Sequence, residues 1–530
     1  MRWTGFAQLG SLVLLINSQE SHSVAEESLE RHEDGEISKI LGLTPVSANW
    51  TGLKIRLTKK GLDYACLIAG VLLKEQFRNI SIPAFSLDIN SGPGHGHAVV
   101  HDVEVLNLYP PVFHYRLEPP NTLVLKSSGG WLDLSAGFNA WYKVLVKVYV
   151  SGAVAATASG LGLELTTVVN VTEEGHPQLS FVDCSASLDN VDVDFSGGTG
   201  PWVLNIFKAQ IATAIEEEFG SAFCRSAKGS LLEMANAELR RLPVTVPLGA
   251  DFWLNYGMTD MPLVGDDFLQ SNFRFDVTFT NATDLSQVSA PGPLPSSEQM
   301  RSGGRMLYLL GSQHVLNSGF EAAHNSSLLH MVIDKARLGR LKTLLKTTCA
   351  LVCLGKVMPL LHWRYPNRYV DLVVAAREPP SVNVTPQNIT ILTNVYVDMY
   401  VNPWNETGEL LTRVLITARG HLRLHMYRRL VRGSVTLEPI EVAQLSSKVG
   451  PLPAEASKVL EKIARRVIDD NANFFLRKGI ELPTVEGARF MRPRVALLQG
   501  AVLFRADLAY KLYYARKYLP EHYARLEEWT

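Results

Sequence analysis

The stretches PQLSFVDCSASLDNVDVDF (Pro177–Phe195) and PWVLNIFKAQIATAIEEEFGSAFC (Pro201–Cys224) decide how this chain is read. The first carries Cys184 at the head of an alternating run, DNVDVDF, as a strand with one wet face does, and a Gly/Pro break ends it. In the second, Leu204, Phe207, Ile211, Ile215, Phe219 and Phe223 recur at helical spacing, and the pattern runs on to Leu239. A disulfide between Cys184 and Cys224 would clip that helix onto the sheet. In a secreted protein such a clip holds the helix while leaving the space beneath it free for something other than packed side chains.

The N-terminus points to that compartment. Arg2 precedes an apolar run from Phe6 to Ile16, and small polar residues follow as far as Ser23. The run is shorter than the ~18 residues a membrane helix needs, so residues 1–23 read as a signal peptide and no transmembrane segment is expected. Residues 24–45 are polar and Glu-rich, with nothing to bury. Asn49, Asn79, Asn170, Asn281, Asn325, Asn383, Asn388 and Asn405 each begin an Asn-X-Ser/Thr sequon, which fits a secreted, extracellular glycoprotein. Five cysteines are too few for a disulfide scaffold, so hydrophobic cores must hold the fold. Cys66, Cys349 and Cys353 read as small buried hydrophobes, the last two four apart in a helix with no further zinc ligand nearby; no metal or cofactor is expected.

The formal net charge of -1 conceals a polarity between halves. Val24–Ala290 holds 18 Lys and Arg against 31 Asp and Glu, whereas Pro291–Thr530 holds 32 against 20. The basic half includes HLRLHMYRRLVR (His421–Arg432) and the pair Arg465, Arg466. These read either as solvated faces or as attraction for an anionic membrane surface. No nucleic-acid partner is expected.

Between Asn281 and Arg305 the chain loses apolar periodicity and becomes rich in Pro, Ser and Gly. Residues 284–304 therefore read as a linker between a domain at 46–283 and a second at 305–510, with a tail at 511–530. Each half has the order helix, antiparallel strands, helix. In the first, a helix at Gly61–Arg78 leads into HAVVHDVEVLNL, PVFHYRLE, YKVLVKVYV and LGLELTTVVNV, then the long helix. In the second, a helix at Ala336–Leu361 leads into VDLVVAA, ITILTNVYVDMYV, LLTRVLITARG and HLRLHMY, then a helix around Glu455–Phe475. Long alternating runs imply sheets with one apolar face, which the helices cover. The first helix is apolar almost all round between Leu62 and Leu73, more than two-layer packing requires.

No Gly-X-Ser-X-Gly elbow, His-Glu-X-X-His, phosphate loop or dinucleotide fingerprint is present, so an enzyme is not expected. His95, His97 and His101 sit in a hairpin-turn context, and of Asp189, Asp192 and Asp194 the last two share one strand face; neither cluster is read as a metal site. Apolar surface in excess, laid out as helices over curved sheets, points to a binder of long apolar ligands, each buried methylene contributing about 0.8 kcal/mol.

Several stretches resemble one family. These are GLKIRLTKKGLDYA (Gly52–Ala65), the two cysteines with PWVLNIFKAQI between them, AELRRLPV, RMLYLLGSQHVLNSGF (Arg305–Phe320), VGPLPAEASKVLEKIARRVI (Val449–Ile468), LRKGIELPTVEGARF and LFRADLAYK. Over nearly all of the mature chain the sequence resembles the family of bactericidal/permeability-increasing protein, lipopolysaccharide-binding protein, phospholipid transfer protein and cholesteryl ester transfer protein. The resemblance implies an α+β boomerang of two tubular, barrel-like domains, each a twisted antiparallel sheet wrapped around helices, joined by a central sheet. It implies an acyl-chain lipid such as a phospholipid in a pocket of each barrel, and it maps the family's disulfide onto Cys184 and Cys224. Candidate lipid contacts drawn from the apolar helix faces are Tyr64, Leu67, Ile68, Val71, Leu72, Phe207, Ile211 and Ile215. The expected function is holding or transferring phospholipid-like amphiphiles; innate-immune recognition of lipopolysaccharide is the alternative. The acidic first half departs from the basic barrel of the bactericidal members, and the aromatic tail from Tyr510 extends past the family's usual end.

Overall fold

The computed structural model describes residues 51–510 apart from 78–81, 91, 110, 197–200, 250, 280–291, 301–303, 406–407, 428–429, 479 and 482–487. The expected signal peptide, the sequons at Asn49, Asn79 and Asn281, part of the linker and the tail after Tyr510 lie outside the described residues.

The strand Leu53–Thr58 ties the two ends of the chain together. It pairs on one side with Phe268–Phe273 and on the other with Leu307–Ser312. Leu307–Ser312 pairs in turn with Ala501–Tyr510, and that strand with Ala488–Leu498, completing a six-stranded antiparallel central sheet with Leu263–Val264 at its far edge. Buried polar groups pin it. Arg56, only 3% exposed, donates to Gln270 Oε1 at 2.7 and 3.1 Å and lies 3.9 Å above the Phe268 ring. Asp507 accepts from Arg305, from Lys60 at 3.1 Å and from the Met306 N–H at 3.2 Å.

Helix α1 (Lys59–Phe77) leaves the central sheet directly. Two curled sheets follow, one of five strands ordered Asn190–Ser196, Lys147–Ser159, Trp131–Lys143, His95–Tyr109, Phe85–Ile89, and one of four strands, Val112–Glu118, Thr122–Ser128, Gly162–Val171, Pro177–Ser187. Alternation is strict in Trp131–Lys143, where every second side chain from Leu132 to Tyr142 is buried. Helix α2 (Pro201–Ser226) covers the inner face. Its Phe207, Ile211, Ile215, Phe219 and Phe223 are all buried in one core; at about 2 kcal/mol each, they supply roughly 10 kcal/mol of gross stabilisation. The Cys184–Cys224 disulfide forms, with a Cα–Cα distance of 5.7 Å. The helical reading to Leu239 holds with one interruption, a π-helical turn at Ala227–Leu231 before helix α3 (Leu232–Arg240).

The run YKVLVKVYV is not one strand. Lys143 pairs with Lys147 across a hairpin whose tip is Val144, Leu145 and Val146, with Leu145 90% exposed. The turn contains no Gly, Asn or Pro, so apolar periodicity read straight through it.

In the second half, helix α4 (His314–Asn325) follows the central strand just as α1 does, and packs on a three-stranded sheet of Thr245–Gly249, Phe252–Asn255 and Asp276–Phe279. This is the counterpart helix, some twenty residues earlier than the sequence reading placed it. Ala336–Leu361 is not a continuous helix. It folds as a 3-10 segment (Gly339–Leu345), a looped stretch, and the short helices α5 (Leu354–Val357) and α6 (Pro359–Arg364). Gly339 adopts φ +48°, Thr347 bonds out to the Arg368 carbonyl, and Pro359 starts a new helix, each incompatible with one long rod. The reading of Cys349 and Cys353 as free hydrophobes is also corrected. The looped stretch brings their Cα atoms to 6.2 Å and the two form a disulfide, with Cys66 the free cysteine.

An eight-stranded sheet runs His330–Ile333, Val370–Ala376, Ile389–Val401, Leu410–Tyr427, Leu430–Leu437, Ile480–Glu481, with Ser381–Val384 and Glu441–Ser447 pairing alongside. Helix α7 (Ala454–Ile468) buries Ala456, Val459, Leu460 and Ile463, while Arg465 and Arg466 stay outside in ion pairs with Glu461 and Asp470. A second π-turn, Asp469–Asn473, leads into helix α8 (Phe474–Lys478). Each half thus contains a helix, π-turn, helix unit followed by strands, and in each an asparagine clamps a strand's backbone. Asn236 bonds the N–H and C=O of Leu179 at 2.8 and 2.9 Å; Asn473 bonds those of Val435 at 2.7 and 3.0 Å.

Candidate functional site

Helix α1 packs along Val112–Glu118, the edge strand of the four-stranded sheet. Between it and the strand Val112–Glu118 opens a cleft of about 610 Å³, within the size range of sites for small molecules. One wall is Cys66 and Leu67 of α1, the other Phe113, Tyr115 and Leu117, which alternation places on one face of their strand. Farther along that sheet Leu123, Leu125 and Leu165 are only half-buried, so apolar surface continues inward from the cleft.

The lip is polar. Lys59 Nζ lies 3.2 Å from the Asp63 carboxylate and 5.9 Å from the Tyr115 ring centre, and Asp266 stands at the edge. Tyr115 Oη donates to the Lys59 carbonyl at 3.4 Å. Burial, and then Asp63, raise the Tyr115 hydroxyl well above the usual phenol value. Burial pushes the Cys66 thiol up to about 11, with Asp63 adding to the rise. Both groups are therefore neutral at physiological pH. The arrangement is a slot with apolar side chains and two neutral polar groups on its walls and charged groups, Lys59, Asp63, Arg116 and Asp266, around it.

Of the expected contacts, Leu67 lines the cleft. Tyr64 is buried beside it and Ile68 half-buried on the same helix; Val71 and Leu72 lie in α1, but their side chains fall outside the described residues. Phe207, Ile211 and Ile215 are fully packed in the core, Phe207 edge-on to Tyr142 at 6.1 Å. The strand wall and Cys66 were not among the expected contacts; the alternation in VFHYRLE carries the signal, since Phe113, Tyr115 and Leu117 must share a face. His97 and His101 bond Asp88 and Asp102, each at 2.8 Å, and Asp192 and Asp194 flank Lys208 of α2 at 2.8 and 3.8 Å. Asn170 is half-buried, while Asn325, Asn383, Asn388 and Asn405 are exposed. Among the described residues no helix is long and apolar enough to cross a membrane.

Two halves of curled antiparallel sheet, each with helices laid along it and both sharing one central sheet, define a two-barrel protein of the boomerang type. The chain belongs to the LBP / BPI / CETP family: the family's N-terminal domain matches residues 61–234 and its C-terminal domain residues 249–510. It is 24% identical over 421 residues to the lipopolysaccharide-binding protein of Mus musculus, covering 78% of this chain and 85% of the relative. It is 23% identical over 476 residues to the phospholipid transfer protein of the same species, covering 88% and 92%. It is 21% identical over 462 residues to the bactericidal permeability-increasing protein of Sebastes schlegelii, covering 87% and 95%. A crystal structure of lipopolysaccharide binding protein superposes with a TM-score of 0.56 at 21% identity, covering 87% of this chain and 99% of that one, which supports the boomerang fold.

Proposed function

We propose that the protein is a secreted carrier that holds, and passes between surfaces, phospholipid-like amphiphiles. The observation that carries this reading is the cleft beside α1: Leu67, Phe113 and Leu117 give it apolar wall, Lys59, Asp63, Arg116 and Asp266 surround it with charge, and the half-buried Leu123 and Leu125 lie next to it on the same sheet. An acyl tail fits the walls and a polar headgroup fits the lip, where Lys59, paired with Asp63, and Asp266 offer both signs of charge to a zwitterionic headgroup. No covalent step enters the reading. The chain's membership of a family whose relatives include a phospholipid transfer protein supports the cargo class. The test is native mass spectrometry of protein secreted without detergent, followed by lipid extraction. Bound phospholipid is the expected result; protein that carries none and takes none from vesicles refutes it.

A second reading, recognition of lipopolysaccharide, is supported by the names of other relatives. It has less support from the first domain itself, whose Asp192 and Asp194 face outward at 69% and 85% side-chain exposure. Salt-sensitive binding to lipid A would favour it over the carrier reading.

A further inference from the structure

Between Asp334 and Asp371 the chain carries eight Lys and Arg and no Asp or Glu. This segment links the strand His330–Ile333 to Val370–Ala376 and includes the second disulfide and helices α5 and α6. It caps the end of the C-terminal sheet where Ile389–Val401 turns into Leu410–Tyr427. From that turn Glu409 accepts from Tyr365 at 2.9 Å and pairs with Lys448 at 3.2 Å and Arg364 at 3.5 Å. One carboxylate shared among these groups leaves the segment strongly cationic.

The same segment holds large apolar side chains that face solvent. Leu351 and Trp363 are each 82% exposed, Val352 54% and Leu360 55%. Their exposure is built in. In α6, Met358 at the cap and Leu361 are buried at 1%, which turns Leu360 and Trp363, three apart and so on one face, outward. The Cys349–Cys353 bridge closes the loop that presents Leu351 and Val352 while Cys353 itself is buried. Lys356 Nζ donates to the Ala350 carbonyl at 3.0 Å, and His362 Nδ1 sits 3.1 Å from Thr348 Oγ1, tying α6 to the loop. Gly355 packs so closely that a Cβ there would lie 1.7 Å from the Thr347 oxygen. The apolar tips are thus held side by side on a rigid frame.

We propose that this face docks on an anionic phospholipid surface, with Leu351, Val352, Leu360 and Trp363 entering the headgroup boundary and the surrounding Lys and Arg meeting lipid phosphates. Indole and leucine side chains on a segment rich in long cations suit that boundary, because the apolar parts lose water while the charged ends reach back to the phosphates. The inference deepens the carrier reading by giving it a landing surface, and rests on that reading only for its purpose.

The test is co-sedimentation of the full secreted protein with vesicles of phosphatidylcholine, with and without phosphatidylglycerol. The wild type should bind the anionic vesicles at least about tenfold more tightly, and less so as salt rises. L351D/W363D should lose about tenfold or more, while L145D at the other exposed tip changes binding less than about twofold. Both altered positions are exposed, and an unchanged circular dichroism spectrum confirms folding. Wild-type-like binding by L351D/W363D, or loss of binding in L145D instead, overturns the proposal. So does a double variant that keeps vesicle binding yet loses lipopolysaccharide micelles. Lipid content by native mass spectrometry is read on the same samples. Protein that carries lipid but docks without these residues sinks the landing surface alone, and empty protein that docks through them sinks the carrier reading alone.

Discussion

Replacing Cys184 and Cys224 together by alanine removes a bridge between residues 40 apart in sequence. The loop-entropy relation puts the resulting gain in denatured-state freedom at about 4 kcal/mol. Helix α2 keeps its five buried apolar anchors, so the domain should still fold, but with reduced protection from opening. The second bridge, between residues 4 apart, gives only about 2 kcal/mol by the same relation, so C349A/C353A is the internal standard. Hydrogen exchange of peptides from α2 and the strand Pro177–Ser187 is the direct assay. In C184A/C224A their protection should fall roughly a thousandfold, and wild-type protein reduced with dithiothreitol should match it there. If α2 exchanges no faster in C184A/C224A than in C349A/C353A, the disulfide is not what clips the helix to the sheet, and the argument from loop length fails.

Leu67→Trp should fill the cleft and cut phospholipid uptake from vesicles severalfold while leaving the melting temperature within a few degrees; unchanged uptake would move the cargo elsewhere. With its thiol pushed up to about 11, Cys66 should alkylate at pH 8 roughly two hundred times more slowly than an ordinary cysteine, and iodoacetamide kinetics followed by mass spectrometry read this directly. Although burial opposes it, Asp507 is held below the usual carboxylate range by Arg305 and Lys60. A depressed folded-state pKa means stability present above the unfolded value of about 3.9 and lost as pH falls through the folded one. Asp507→Asn should therefore cost on the order of 3 kcal/mol at pH 7, a gap that closes in urea titrations as pH drops below about 4.

Read as sequence alone, the chain already determines its elements wherever period and length agree. Phe207 to Phe223 at four-residue spacing make a helix, and Leu132 to Tyr142 at two make a strand, because the backbone repeats fix which side chains share a face. The quoted stretches also carried the family, hence the two barrels and the Cys184–Cys224 bridge. Local pattern failed where a tight turn kept the alternation, at Val144–Val146, and where leucines at helical spacing served short turns packed on a distant helix, at Ala336–Leu361. Those outcomes depend on contacts between residues far apart in the chain, such as Thr347 with Arg368, which periodicity does not encode. The same holds for the cleft. Hydrophobicity marked the α1 face, but the opening between α1 and Val112–Glu118 depends on how far two elements stand apart. Only the tertiary structure sets that distance, and with it whether an apolar face becomes core or the wall of a site.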